Sequence, residues 1–213
     1  MEHLEVTKFL NVPGGSLAYS DEGTGPLVIA VPGMGDLRSS YRFLTPKLAA
    51  AGYRVVSLDV RGHGESSVAW KDYAVGAIAG DILDLIRSLG AGPAHLIGNS
   101  MAAGAAVIAA AREPQATRSV VLVDPFVRDV IPPWLAVAIF EPLLRGPWRA
   151  GLWRSLFKKA FPTRLPEDFE AERARRDASL AEPGRFAAFR RMTVASKIES
   201  ERSIATSRRR HSS

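Results

Sequence analysis

At 213 residues, 46% hydrophobic and 23% charged, the chain has the size and composition of one globular domain with a real core, or of one domain with an insertion. It has no cysteine, which excludes disulfides and thiolate metal sites. The net charge of +6 is uneven: basic residues gather after Arg145 and in the tail Ser207-Arg208-Arg209-Arg210-His211. Such a tail suits nucleic acid or anionic lipid. Short Ser/Arg-rich ends are more commonly disordered, so no nucleic-acid partner is expected. The polar start Met1-Glu2-His3-Leu4-Glu5 has no secretory pattern, and no apolar run reaches membrane-spanning length. A cytoplasmic protein without a membrane span is the expectation, and nothing sets an oligomeric state.

Val6–Leu10 and Ser16–Ser20 flank Asn11-Val12-Pro13-Gly14-Gly15 and predict a hairpin. Asp21 to Pro26 is a turn cluster. Leu27–Val31 is a continuous β-rich apolar run, the pattern of a strand buried on both faces. Pro32-Gly33-Met34-Gly35-Asp36 ends it, and the spacing of Phe43, Leu44 and Leu48 predicts a helix over 41–51, stopped by Gly52. Arg54–Leu58 is the next strand. It runs into the Gly-rich loop Asp59-Val60-Arg61-Gly62-His63-Gly64-Glu65-Ser66, where Asp59 can hold the loop through N–H bonds. Arg61 and His63 are expected to fix loop geometry, and His95 to be structural.

Ala74–Leu89 reads as an amphipathic helix closed by Gly90. A strand from Ala94 to Ile97, a single Ser100 and a small-residue helix from Met101 follow. Ser119–Val123 is a sixth strand of the buried type, closed by Asp124-Pro125. Strands alternating with helices after a hairpin predict an α/β fold: a largely parallel sheet with helices on both faces.

After Pro132 the pattern is helical, with helices expected over 134–144, 148–161 and 166–192 and no strand between them. That block looks like a cap over the strand ends. Trp148 to Lys159 is amphipathic and basic and could lie on a membrane surface. The preferred reading is a cap helix whose aromatic side lines a substrate pocket. The expected division is a core over 1–127, a helical cap over 128–196 and an irregular basic tail over 197–213.

His95-Leu96-Ile97-Gly98-Asn99-Ser100-Met101-Ala102 carries the chemistry. A Ser on a sharp strand-to-helix turn needs small neighbours two before and two after, here Gly98 and Ala102. The helix N-terminus favours negative charge developing at the hydroxyl. A Ser in that place also serves as a plain N-cap. No H-E-x-x-H spacing, phosphate loop or dinucleotide fingerprint occurs, so neither metal nor cofactor is expected.

Three stretches together resemble the α/β-hydrolase superfamily over roughly residues 6–126: Val28–Gly35, the Asp59–Ser66 loop, which is similar to D-x-R-G-x-G-x-S, and the elbow at Ser100. The resemblance implies a Ser100 nucleophile and an oxyanion hole made by the Met34 and Met101 backbone N–H groups. It implies an acyl-enzyme on a small ester, lactone or related acyl substrate. The chain departs from the G-x-S-x-G pattern at Ala102, and Pro32 stands where the family often has His.

The family order is Ser, then Asp or Glu, then His. No apolar strand, G-x-x-D turn or final helix is visible after the helical block, so the chain reads as cut short before the acid and the base. Ser119–Val123 then becomes a sheet edge, and apolar surface of the elbow helix is expected to stay wet. One arrangement keeps the order, with Asp124 as acid and His211, the only later His, as base; a turn-forming Asp124 is the plainer role. The expectation is a serine hydrolase weak or inactive as this chain. A non-catalytic small-ligand binding protein with the same pocket is the alternative.

Overall fold

The computed structural model describes residues 6–159 and 165–210. Strands β1 (Lys8–Val12) and β2 (Gly15–Glu22) form the expected hairpin. Its turn is tighter than expected, because Asn11 and Val12 pair with Ser16 and Gly15. Only Pro13 and Gly14 are left between the strands. Gly14 has φ +101°, a conformation glycine reaches without steric cost. β2 continues through Asp21 and Glu22, expected in a turn, because both pair with β4 (Arg54–Leu58). Asp21 there accepts Arg54 Nε at 2.8 Å and Lys8 Nζ at 2.8 Å; the Arg54 bond, reinforced by Lys8, holds its carboxyl below the usual range.

With β3 (Leu27–Val31), β5 (Ala94–Asn99) and β6 (Thr117–Val123), the sheet has six strands in the order β1-β2-β4-β3-β5-β6. β3, β4, β5 and β6 pair in parallel and β1–β2–β4 antiparallel. Every β3 side chain is buried, as its unbroken apolar run requires. Leu27, Ile29 and Val31 share a core with α2 (Val75–Leu89) and α3 (Met101–Arg112), while Val28 and Ala30 pack with Tyr41 and Val55. Burial of each Leu, Ile or Val stabilises by about 1.5–3 kcal/mol, so this strand fixes the register of its neighbours.

The helix expected over 41–51 is split into a 3-10 turn (Arg38–Tyr41) and α1 (Thr45–Ala50). Pro46 starts α1, in the first turn, where its missing N–H is not needed. After β6 come α4 (Pro133–Leu143), α5 (Arg149–Lys159), α6 (Phe169–Ala181) and α7 (Arg185–Thr193). The single helix expected over 166–192 breaks at Glu182-Pro183-Gly184. Gly184 adopts φ +84° as the N-cap of α7. The block has its own small core of Leu144, Leu180, Phe186 and Phe189.

The expected irregular tail is corrected over 198–210, which form helix α8 (Ile198–Arg210). α8 packs on α2 and α3 where they lack side chains. A Cβ on Gly104 would lie 2.6 Å from Ser200 Oγ, and one on Gly76 would lie 2.2 Å from Glu199 Oε2. Arg112 clamps the contact, donating to Glu199 at 2.6 Å and to the Gly76 carbonyl at 2.7 Å. The elbow helix is therefore covered: Ala102, Ala103, Ala105, Ala106 and Ile108 are fully buried, against the expectation of wet apolar surface. β6 is the sheet edge, and its Val121, Leu122 and Val123 are 40–48% exposed. This differs from a strand of the buried type, because β6 has a partner on one side only. Among the described residues no helix is long and apolar enough to cross a membrane.

Candidate active site

Ser100 stands at the tip between β5 and α3 with φ 54° and ψ −118°. A non-glycine residue in that region is strained and is held there by its surroundings. The holding bonds are backbone ones: Ser100 N–H donates to the Val123 carbonyl at 2.9 Å, and the Ser100 carbonyl accepts the Phe126 N–H at 3.0 Å. Close passage explains the small neighbours. A Cβ on Gly98 would lie 2.4 Å from the Ala102 carbonyl oxygen, and one on Gly33 would lie 3.2 Å from Ser100 Cβ. Ser100 occupies the N-cap position of α3, yet its side chain makes no capping hydrogen bond. That separates it from the plain N-cap reading.

β3 is flanked by β4 and β5, so the chain leaves it in opposite directions at this point of the sheet. Open parallel sheets bind ligands at such a switch, beyond the carboxyl ends of the strands. Met34 follows β3 and Met101 follows Ser100. With Ser100 they line one pocket of about 390 Å³. The Met101 N–H is the first of its helix and has no acceptor inside it. The Met34 turn is fastened on both sides: Asp36 N–H donates to Gly33 O at 3.2 Å and Gly35 N–H to His63 Nε2 at 3.0 Å.

His63 is buried, with Nδ1 3.2 Å from the Arg61 carbonyl. Nε2 accepts the Gly35 proton, so Nδ1 carries the ring proton and the imidazole is neutral. Burial pushes its pKa down to about 4. The loop beneath is organised as its sequence suggests. Asp59 accepts the Arg38 N–H at 2.8 Å and the Glu65 N–H at 3.1 Å; burial pushes its carboxyl up against these bonds and the Arg38 charge. Arg61 forks onto Asp81 at 2.8 and 2.6 Å. His95 is structural, with Nδ1 2.8 Å from Ser119 Oγ.

The helical block supplies the far wall. Phe140 of α4, Trp153 and Leu156 of α5, and Phe189 and Met192 of α7 line the same pocket, and Lys197 opens into it. Trp153 on this wall matches the expected aromatic side of the 148–159 segment. Asp124 follows β6 with φ 44° and is not among the residues lining the pocket; His211 lies outside the described residues. Lys197 and Asp129 were not singled out by the sequence. The only signal was a lone Lys in Met192-Thr193-Val194-Ala195-Ser196-Lys197-Ile198. Among the described residues no group of three or more His, Asp or Glu side chains is placed to hold a metal ion.

The model of the alpha/beta hydrolase fold matches residues 26–209, and the chain belongs to that family. Epoxide hydrolase B of Mycobacterium tuberculosis is 36% identical over 105 residues, 46% of this chain and 30% of the relative. The 2-(acetamidomethylene)succinate hydrolase of Mesorhizobium japonicum is 35% identical over 109 residues, 51% of this chain and 39% of the relative. The matched part thus spans roughly a third of these relatives' length. Among solved structures, a hydrolase from Pseudomonas aeruginosa superposes with a TM-score of 0.76 at 23% identity, covering 90% of this chain and 74% of the other. An esterase from Exiguobacterium antarcticum gives 0.74 at 19% identity, with 90% and 74% covered. At these identities the structural likeness speaks for the fold alone.

Proposed function

We propose that the pocket is the site of a serine hydrolase acting on small acyl compounds, with Ser100 as nucleophile and the Met34 and Met101 N–H groups as the oxyanion hole. The helices over 133–193 act as its cap. The observation that carries this reading is the strained, uncapped Ser100 on the wall of a pocket that Met34 and Met101 also line. Its hydroxyl attacks an acyl carbon, the carbonyl oxygen becomes an oxyanion, and the leaving group departs with a proton. Water then cleaves the ester at Ser100 Oγ. Each oxyanion donor is worth about 3–4 kcal/mol of barrier.

Several relatives are named epoxide hydrolases. A serine at the elbow favours acyl over epoxide chemistry. Attack of Ser100 Oγ on an epoxide carbon would leave an ether, which water does not cleave under conditions where it readily cleaves an acyl ester.

A second reading, a non-catalytic binding pocket, is favoured by one observation. The histidines among the described residues are His63 and His95. Both have ring nitrogens engaged elsewhere, and neither lines the pocket. A hydroxyl without a base is a weak nucleophile. We therefore expect slow chemistry from residues 1–213.

Labelling with a fluorophosphonate, followed by mass spectrometry of the modified peptide, separates the readings. A phosphonyl adduct on Ser100 that is absent from Ser100→Ala supports the hydrolase. Label elsewhere, or equal label in the variant, removes the hydrolase and leaves the binding protein.

A further inference from the structure

The pocket at Ser100 is apolar except at one end. Phe126, Phe140, Trp153 and Phe189 give it aromatic walls, and Lys197 places an ammonium among them. Lys197 is only 6% exposed. Among the described residues its Nζ makes no short contact: the Thr193 carbonyl is at 3.4 Å, Asp129 Oδ1 at 4.0 Å and the Phe126 ring centroid at 5.3 Å. The Asp129 carboxylate is occupied by closer donors, Ser196 Oγ at 2.7 Å and the Lys197 backbone N–H at 3.1 Å. An ammonium has three donors and favours charge-assisted bonds near 2.8 Å. Burying it with long contacts leaves a desolvation cost that an anion in the pocket would offset. Burial depresses the Lys197 pKa, and Asp129 partly opposes that.

We infer that Lys197 is the anchor for a carboxylate on the ligand, so that the site takes small acyl compounds carrying a free carboxylate. Asp129 lines the same end of the pocket, 4.0 Å from Nζ, with its oxygens held by Ser196 Oγ and the Lys197 backbone N–H, so the single cation there, among the described residues, suits a singly charged group. The acyl half of the inference rests on the serine-hydrolase reading, and the carboxylate half does not.

Calorimetric titration of residues 1–213 carrying Ser100→Ala, with octanoate and its neutral isostere octanamide, tests the anchor without any turnover. Octanoate is expected to bind about tenfold tighter or better, because a charge-assisted contact in a dry pocket is worth that much. Lys197→Met is expected to abolish the difference while leaving octanamide affinity unchanged, and Lys197→Arg to restore part of it. Equal affinities in the Lys197 protein overturn the anchor, even if Lys197→Met does not fold. A Lys197→Met protein that weakens both ligands alike shows a structural lysine and overturns it too. A carboxylate preference without Ser100 labelling keeps the anchor and removes the hydrolase.

Discussion

Gly35 N–H donates to His63 Nε2 over 3.0 Å, and this one bond fixes both the turn that carries Met34 and the charge of the imidazole. Protonating Nε2 would break the bond and bury a cation. The folded pKa of about 4 lies below the ordinary 6.5, so the unfolded chain binds the proton more readily. Stability from this residue is full above pH 6.5 and is lost as pH falls towards 4, by about 3 kcal/mol in all. Asp59 and Asp81 are pushed up by burial, which gives the opposite slope. Urea unfolding between pH 4 and 7 should therefore be compared with His63→Gln. The difference between the two proteins should shrink as the pH is lowered. A parallel pair of curves would mean that His63 titrates alike in the folded and unfolded chain.

Two glycines make opposite predictions. Gly98→Ala drives a Cβ to 2.4 Å from backbone at Ala102, which cannot swing aside. We expect a loss of about 3 kcal/mol or more, with the Ser100 label lost as the elbow opens. Gly80 lies in α2 with nothing within 4 Å of an added Cβ. Gly80→Ala should stabilise by about 0.5–1 kcal/mol, through helix propensity and a stiffer unfolded chain. Denaturant midpoints that move the same way for both would refute the steric account of the elbow.

What could be read in advance follows from where each signal resides. β3 and the elbow were legible because their demands are local: an unbroken apolar run, and small residues two positions either side of Ser100. The Asp59 loop was legible for the same reason, since its carboxylate serves N–H groups nearby in the chain and in the adjoining turn. α8 was misread because it docks by close approach at Gly76 and Gly104, not by an apolar stripe. Ile198 and Ile204 are its only large apolar residues. Lys197 was missed because its meaning depends on Asp129, Phe126 and Thr193 converging in space. The helix predicted over 166–192 runs across Pro183-Gly184, although that pair is itself a stop signal.

The buried fork of Arg61 on Asp81 holds the Gly-rich loop against α2. The guanidinium also reaches the carbonyls of Asp72 at 2.8 Å and Ala77 at 3.2 Å and stacks 4.6 Å from the Trp70 ring. Asp81→Ala would leave that cation buried and half-satisfied, at a cost of about 3–5 kcal/mol. A double variant, Arg61→Leu with Asp81→Ala, should recover part of the loss. Thermal melts showing the double variant worse than the sum of the singles would contradict the desolvation argument.

Val121, Leu122 and Val123 of β6 are consecutive, exposed and on the sheet edge. Unpaired N–H and C=O groups beside such side chains are a template for another chain. The same strand supports the elbow, because the Val123 carbonyl accepts the Ser100 N–H. Edge pairing with a second molecule would thus pull on the Ser100 turn as well as lower solubility. Leu122→Lys adds charge at the edge without touching that carbonyl. It should slow the growth of light scattering at 37 °C several-fold and shift stability by no more than about 0.5 kcal/mol. Val123→Pro cannot donate to the ladder and should lower stability and Ser100 labelling together. If Leu122→Lys aggregates as fast as the parent, association runs through another surface. The exposed apolar residues Val130 and Trp134, each 71% exposed at the start of the helical block, are then the next to change.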